Sequence, residues 1–213
     1  MKSRESFPIM DEGVTGPDPE AGRSNEEART GQQAELREYL KGYLETEDAE
    51  AIELVAIDGL PEKYREQYEF VDDERERLRG VTVAVVPKEL WPKGLQPSES
   101  HAERGLILFS DEYFNEGDPS AWMTHELAHC SRHEDNPDAY FDDMATPAFR
   151  DLAGEYAYPN NKVELETFTT QFRYLKEKGV EKIKVHKMLE EQYEPEDMPF
   201  LDRVLDGIYD REE

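Results

Sequence analysis

The chain has 213 residues, 51 of them acidic and 25 basic, and a formal net charge of −26. This length suits one domain of moderate size, and the charge repels phosphates and anionic lipid surfaces. Nucleic acid and membranes are therefore not expected as partners, whereas a basic partner would be attracted. One cysteine, Cys130, excludes an intrachain disulfide. No apolar run has the length of a signal peptide or a membrane helix, so a cytoplasmic protein is expected.

The N-terminal part differs in composition from the rest. Residues 1–31 are rich in Gly, Pro, Ser, Glu and Asp and poor in aliphatic side chains, which predicts a flexible acidic tail. Residues 32–213 are predicted to form a single domain. Its first element is an amphipathic helix over residues 32–46, because Leu36, Leu40 and Tyr43 or Leu44 recur at helical spacing.

Three apolar runs predict β-strands. Ala51–Ile57 ends at Gly59 and Pro61, and a polar helix or turn then leads to Phe70. Val81–Val86 is the clearest strand, and a loop rich in Pro and Gly follows it. Gly105–Ser110 is the third.

The C-terminal half has helical signals. Asp118-Pro119 is typical of a helix start, with Asp as the cap and Pro in the first turn. After a loop at Asn136-Pro137, helices are predicted over about residues 147–156 and 162–178, and in two further segments separated near residues 195–199. Strands followed by a run of helices predict an α+β fold.

The helix after Asp118 contains His125-Glu126-Leu127-Ala128-His129, a His-Glu-x-x-His motif. Residues four apart lie on one face of a helix, so His125 and His129 can bind the same metal ion at about 2.0–2.1 Å. Glu126 lies beside the first ligand and can take a proton from a water on the metal. The motif predicts a site for one zinc ion, with His125 and His129 as ligands and Glu126 as general base.

These residues resemble the zincin superfamily of metallopeptidases, in particular its gluzincin branch, over about residues 81–178. The resemblance implies a small twisted sheet, an active-site helix, and a later helix that supplies a glutamate as third ligand. It also implies that Gly105–Ser110 is the edge strand that binds substrate. The Asn-Glu-x-x-Ser-Asp signature of the thermolysin-like group is absent.

Three residues compete as third ligand. In gluzincin-like families the ligand glutamate is often followed three residues later by a small residue, which favours Glu164, followed by Thr167. Glu166 is the alternative on the same helix. His133 lies near the face of His125, but three imidazoles of one continuous helix do not easily surround one ion.

Other candidates have supporting roles. Cys130 is expected to be a small core residue, because its side chain points about 100° away from that of His129. Stabilisation of the oxyanion is assigned to one of three tyrosines, and hydrogen bonds to the ligand histidines to one of three aspartates. These are Tyr140, Tyr156, Tyr158, Asp135, Asp142 and Asp143.

The sequence therefore predicts a zinc-dependent peptidase of peptide or protein substrates, with basic substrates favoured by the negative charge. Two alternatives stay open. In one, the zinc ion only joins two helices of a binding protein, and four protein ligands close the site. In the other, the chain is an acidic interaction or mimic protein and the motif is incidental.

Overall fold

A four-stranded mixed sheet lies at the centre of the protein in a computed structural model, which describes residues 19–72, 76–152 and 158–211, with side chains from residue 30. The strands are β1 (Glu53–Ala56), β2 (Thr82–Val86), β3 (Ser98–His101) and β4 (Leu106–Ser110). Their order is β1-β2-β4-β3. The central pair β2 and β4 is parallel, and both outer pairs are antiparallel.

The central strands are buried on both faces, which explains their continuous apolar sequences. Alternate side chains of β2 and β4 point to opposite faces of the sheet. Val83, Val85, Ile107 and Phe109 belong to the larger core, and Ala84, Val86, Leu106 and Leu108 to the smaller one.

Helices cover both faces, so that the sheet is the middle of three layers. Leu36 and Leu40 of the first helix pack in the smaller core. Most of the other helices enclose the larger core. The helices are α1 (Pro19–Tyr43), α2 (Glu62–Val71), α3 (Asp111–Glu116), α4 (Trp122–Asp135), α5 (Pro137–Met144), α6 (Lys162–Glu177), α7 (Lys182–Gln192) and α8 (Met198–Tyr209).

The α+β class and the three predicted strands are confirmed, but the place of β4 is not the expected one. β4 pairs with β2 on one side and β3 on the other, so the expectation that Gly105–Ser110 is an edge strand is wrong. The edge on this side is β3, with the sequence Ser-Glu-Ser-His. This short polar strand lacks the β-branched and aromatic residues that predict strands.

The helices differ from the prediction in three places. α1 begins at Pro19 rather than near residue 32, since Ala, Glu and Arg favour a helix without an apolar stripe. Of the flexible tail predicted for residues 1–31, residues 19–31 are therefore helical, and residues 1–18 lie outside the described residues. α5 replaces the loop predicted at Asn136-Pro137, because the Asn136 side chain caps it. The helix predicted over residues 147–156 is wrong in its first part, where only the 3-10 turn Arg150–Leu152 forms; residues 153–157 are not described.

α6, α7 and α8 confirm the remaining helices. No helix of the described segments is long and apolar enough to cross a bilayer.

Candidate metal centre

Helix α4 carries the motif, and the side chains of Asp118 and Gln67 fix its N-terminal end. The carboxylate of Asp118 accepts a hydrogen bond from the N–H of Met123 at 2.6 Å. The amide oxygen of Gln67, on α2, accepts both the N–H and the hydroxyl of Thr124, at 2.9 and 2.8 Å. These contacts satisfy amides that have no partner within the helix. The helix start predicted at Asp118-Pro119 is wrong, because α4 starts at Trp122 and follows Ala121, whose backbone is left-handed.

Helix α6 packs against α4 and brings Glu164 to the histidines. Asn161 caps α6, its side-chain oxygen accepting the N–H of Glu164 at 2.9 Å. The Thr167 hydroxyl donates to the backbone oxygen of Glu164 at 3.2 Å. Glu164 thus lies in the first turn of α6 and is only 4% exposed.

The donor atoms of His125, His129 and Glu164 converge on one point. The two Nε2 atoms are 3.1 Å apart. Glu164 Oε2 lies 3.3 Å from Nε2 of His125, and Oε1 lies 3.5 Å from Nε2 of His129. Donors about 2.0–2.1 Å from a tetrahedral ion are separated by about 3.3–3.4 Å. All three residues are buried, and the group could hold a metal ion.

The charges in this group stabilise one another in the absence of a metal. Burial alone raises the pKa of the Glu164 carboxyl, but the two histidines outweigh burial and hold that pKa far below its usual range. Burial alone lowers the pKa of His129, whereas the charge and hydrogen bond of Glu164 raise it above its ordinary value of 6.5. A metal cation bound here would replace the proton that Glu164 favours on His129.

Glu126 lies beside the group and is not one of its three members. It is 6% exposed, and its Oε1 accepts a hydrogen bond from the hydroxyl of Ser98 on β3 at 2.8 Å. The edge strand therefore orients the carboxylate that the motif predicts as a base.

A cleft of about 270 Å³ opens over these residues. Ser98, Glu99 and Ser100 of β3 line one side of it, and Tyr140, Tyr158 and Tyr193 also line it. Burial raises the pKa of Tyr193 well above its ordinary value, so its phenol stays protonated and can donate a hydrogen bond. Sequence reasoning missed Ser98 and Tyr193, because both approach the motif only through the tertiary fold.

The outer side of β3 is open in the described part of the chain. Pro97 O accepts the N–H of Ser110, and hydrogen-bonded pairs alternate along an antiparallel ladder. The backbone N–H and C=O groups of Ser98 and Ser100 therefore point away from β4, towards the free edge.

Helix α1 supports the opposite face of β3. The hydroxyl of Tyr39 lies 2.8 Å from Nδ1 of His101, and the hydroxyl of Tyr43 donates to Glu99 at 2.5 Å. Arg104 stacks on the ring of Tyr39. The edge strand is thus held from the side that faces away from α4.

Several predicted candidates lie elsewhere. Glu166 forms an ion pair with Arg132 at 2.8 Å, and His133 contacts the rings of Tyr140 and Phe141. Neither belongs to the group that could hold a metal ion among the described residues.

Two of the three aspartates expected beside the candidate ligand histidines have other partners. Asp143 binds Arg132 and Lys162, and Asp135 binds Arg77. No ion pair of the Asp142 carboxylate is seen among the described residues. The group next to His129 is instead the hydroxyl of Tyr140, 3.1 Å from Nδ1.

Two further candidates have different outcomes. Cys130 is buried in the larger core, as expected, and burial raises the pKa of its thiol. Tyr156, one of the three tyrosines, lies outside the described residues.

Comparison of the chain with protein-family models, with curated proteins and with solved structures gives no match. The site is therefore interpreted from its own geometry.

Proposed function

We propose that the protein is a zinc-dependent peptidase of the zincin type, in which Glu126 is the general base. The observation that carries this proposal is the buried group of His125, His129 and Glu164, which lies in a cleft beside a second carboxylate and an open strand edge. Peptide hydrolysis needs these parts together: a metal site, a base and a surface that holds an extended chain.

The donor set supports zinc as the metal. Two imidazole nitrogens and one carboxylate oxygen form the three-ligand set of catalytic zinc sites. No fourth protein donor joins them in the described segments, which favours an open site over the closed, purely structural alternative. Zinc bound here would lower the pKa of a coordinated water to about 7 and polarise the carbonyl of the substrate.

Glu126 would take the proton from the attacking water and deliver it to the leaving amine. Its place directly after His125 in α4 keeps its carboxylate near the metal ligands without joining them. The hydrogen bond from Ser98 limits its rotation. The phenols of Tyr158 and Tyr193 are the cleft groups that could donate to the developing oxyanion.

The substrate would bind as an extended segment along β3. The outward backbone groups of Ser98 and Ser100 can pair with such a segment by β-augmentation. None of the described residues that line the cleft is a lysine or an arginine. Together with the net charge of −26, this favours basic over acidic peptides.

The test is the Glu126→Gln variant, assayed on a library of unstructured fluorogenic peptides that differ in charge. We expect it to keep its zinc and to lose turnover by about 10²-fold or more, because the amide cannot accept the proton. Glu134→Gln, at an exposed position of the same helix, is the matched control and should cleave like the wild type. Normal cleavage by Glu126→Gln, or no cleavage of any peptide by the zinc-loaded wild type, would contradict the proposal.

A further inference from the structure

The two candidate ligand histidines differ in what their Nδ1 atoms contact. Nδ1 of His129 lies 3.1 Å from the hydroxyl of Tyr140, on α5. Nδ1 of His125 is buried and has no hydrogen-bond partner in the described part of the chain; its ring packs on Phe168, with centroids 4.4 Å apart. A directed polar contact therefore orients His129, whereas aromatic packing orients His125.

The hydrogen bond at Nδ1 decides whether Nε2 of His129 can bind a metal. A neutral imidazole carries its hydrogen on only one nitrogen. If Nδ1–H donates to the oxygen of Tyr140, Nε2 has a free lone pair for a metal. In the other tautomer Nε2 carries the hydrogen, 3.1 Å from Nε2 of His125, and cannot bind a metal.

Tyr140 is itself held firmly. It is 7% exposed, and its ring makes edge contacts with His133 and Phe141. Asp143, on the same helix, is already bound by Arg132 and Lys162. A phenol thus occupies the position beside the ligand histidine that a carboxylate, a backbone carbonyl or a water usually fills.

We propose that Tyr140 is the positioning residue of the metal centre: its hydroxyl accepts Nδ1–H of His129 and so selects the tautomer that binds the metal. This inference rests on the metal site of the proposed function, but not on peptide hydrolysis. It also removes Tyr140 from the candidates for oxyanion stabilisation. Its hydroxyl is hydrogen-bonded to Nδ1 of His129, whereas the metal would bind at Nε2 on the other side of that ring.

The experiment compares zinc binding by the full chain and by its Tyr140→Phe variant, titrated against a competing chelator. Loss of such an outer hydrogen bond weakens metal binding by about 10- to 100-fold, and we expect an increase of Kd in this range. Tyr158→Phe is the matched control: it removes a phenol from the same cleft and should leave Kd within about twofold, since Tyr158 makes no hydrogen bond to either histidine among the described residues.

Two further readouts separate positioning from a purely structural role. Thermal unfolding of the metal-free proteins reports loss of packing, which by itself would lower Tm without changing Kd. In ¹⁵N NMR spectra of the zinc-loaded wild type, His129 should show a protonated Nδ1 whose exchange with solvent accelerates in Tyr140→Phe.

The outcomes distinguish this inference from the proposed function. An unchanged Kd in Tyr140→Phe, or equal weakening in Tyr158→Phe, would overturn the role of Tyr140 while the metal site stands. A wild type that binds no zinc would overturn the metal site itself, and with it the positioning role.

Discussion

His129 and Glu164 form a buried pair whose protonation state depends on what the site holds. Without a metal, the Glu164 carboxylate holds the pKa of His129 above 6.5. A raised histidine pKa contributes stability that is fully present below the unfolded pKa and is lost as pH rises through the folded one. A bound metal needs neutral His129 and takes over the stabilisation of Glu164.

We therefore expect the rise in Tm on adding zinc to grow as pH rises above 6.5, because the metal-free protein loses stability as the pH passes the raised pKa of His129 and zinc competes less with protons. The measurement is thermal unfolding at several pH values with zinc and with a chelator. His186→Asn, remote from the site and paired with Asp202, should retain this trend. A zinc-induced shift that is the same at every pH would contradict the coupling.

Only part of the site could be predicted from single residues in the sequence. His125 and His129 follow from their spacing on a helix, and Glu164 followed from the threonine three residues later, in a pattern known from a resembling family. Tyr140 and Ser98 make their contacts across separate elements, so no local pattern marks their roles. Asp143 was a reasonable partner for a histidine, but Arg132 and Lys162 occupy its oxygens.

At the scale of elements, the site depends on how α4 is held between its neighbours. Its N-terminal turn is buried, and Gln67 of α2 accepts two donors of Thr124 there. The elements with strong apolar periodicity, β2, β4 and α6, were predictable. The polar edge strand β3 and the capped helix α5 were not, because β3 takes its structure from pairing with β4 and Asn136-Pro137 is common to loops and helix starts.

Gln67→Ala should lower the free energy of unfolding by about 1–3 kcal/mol, since it leaves buried donors of Thr124 without an acceptor. Zinc affinity should fall with it, because this contact positions the helix that carries both histidines. Urea unfolding and zinc titration measure the two effects. Gln33→Ala, at an exposed position of α1, is the matched control, and equal stability of the two variants would contradict the role of Gln67.

At the scale of the whole molecule, three layers place the candidate site at one edge of the sheet. β3 lies between α1 on one face and α4 on the other, so its free edge and the cleft adjoin each other. The acidic composition was evident from the sequence, but the absence of lysine and arginine from the described cleft residues could be found only in the structure. A negative molecule whose described cleft residues include no lysine or arginine should attract basic segments at low ionic strength.

The most direct test of this account is the zinc content of the purified wild type and of its Glu164→Ala and Glu166→Ala variants, measured by elemental analysis. Both glutamates lie on α6, but only Glu164 faces the histidines, whereas Glu166 pairs with Arg132. We predict about one zinc per chain in the wild type and in Glu166→Ala, and little or none in Glu164→Ala. Zinc retained in full by Glu164→Ala, or absent from the wild type, would contradict the account.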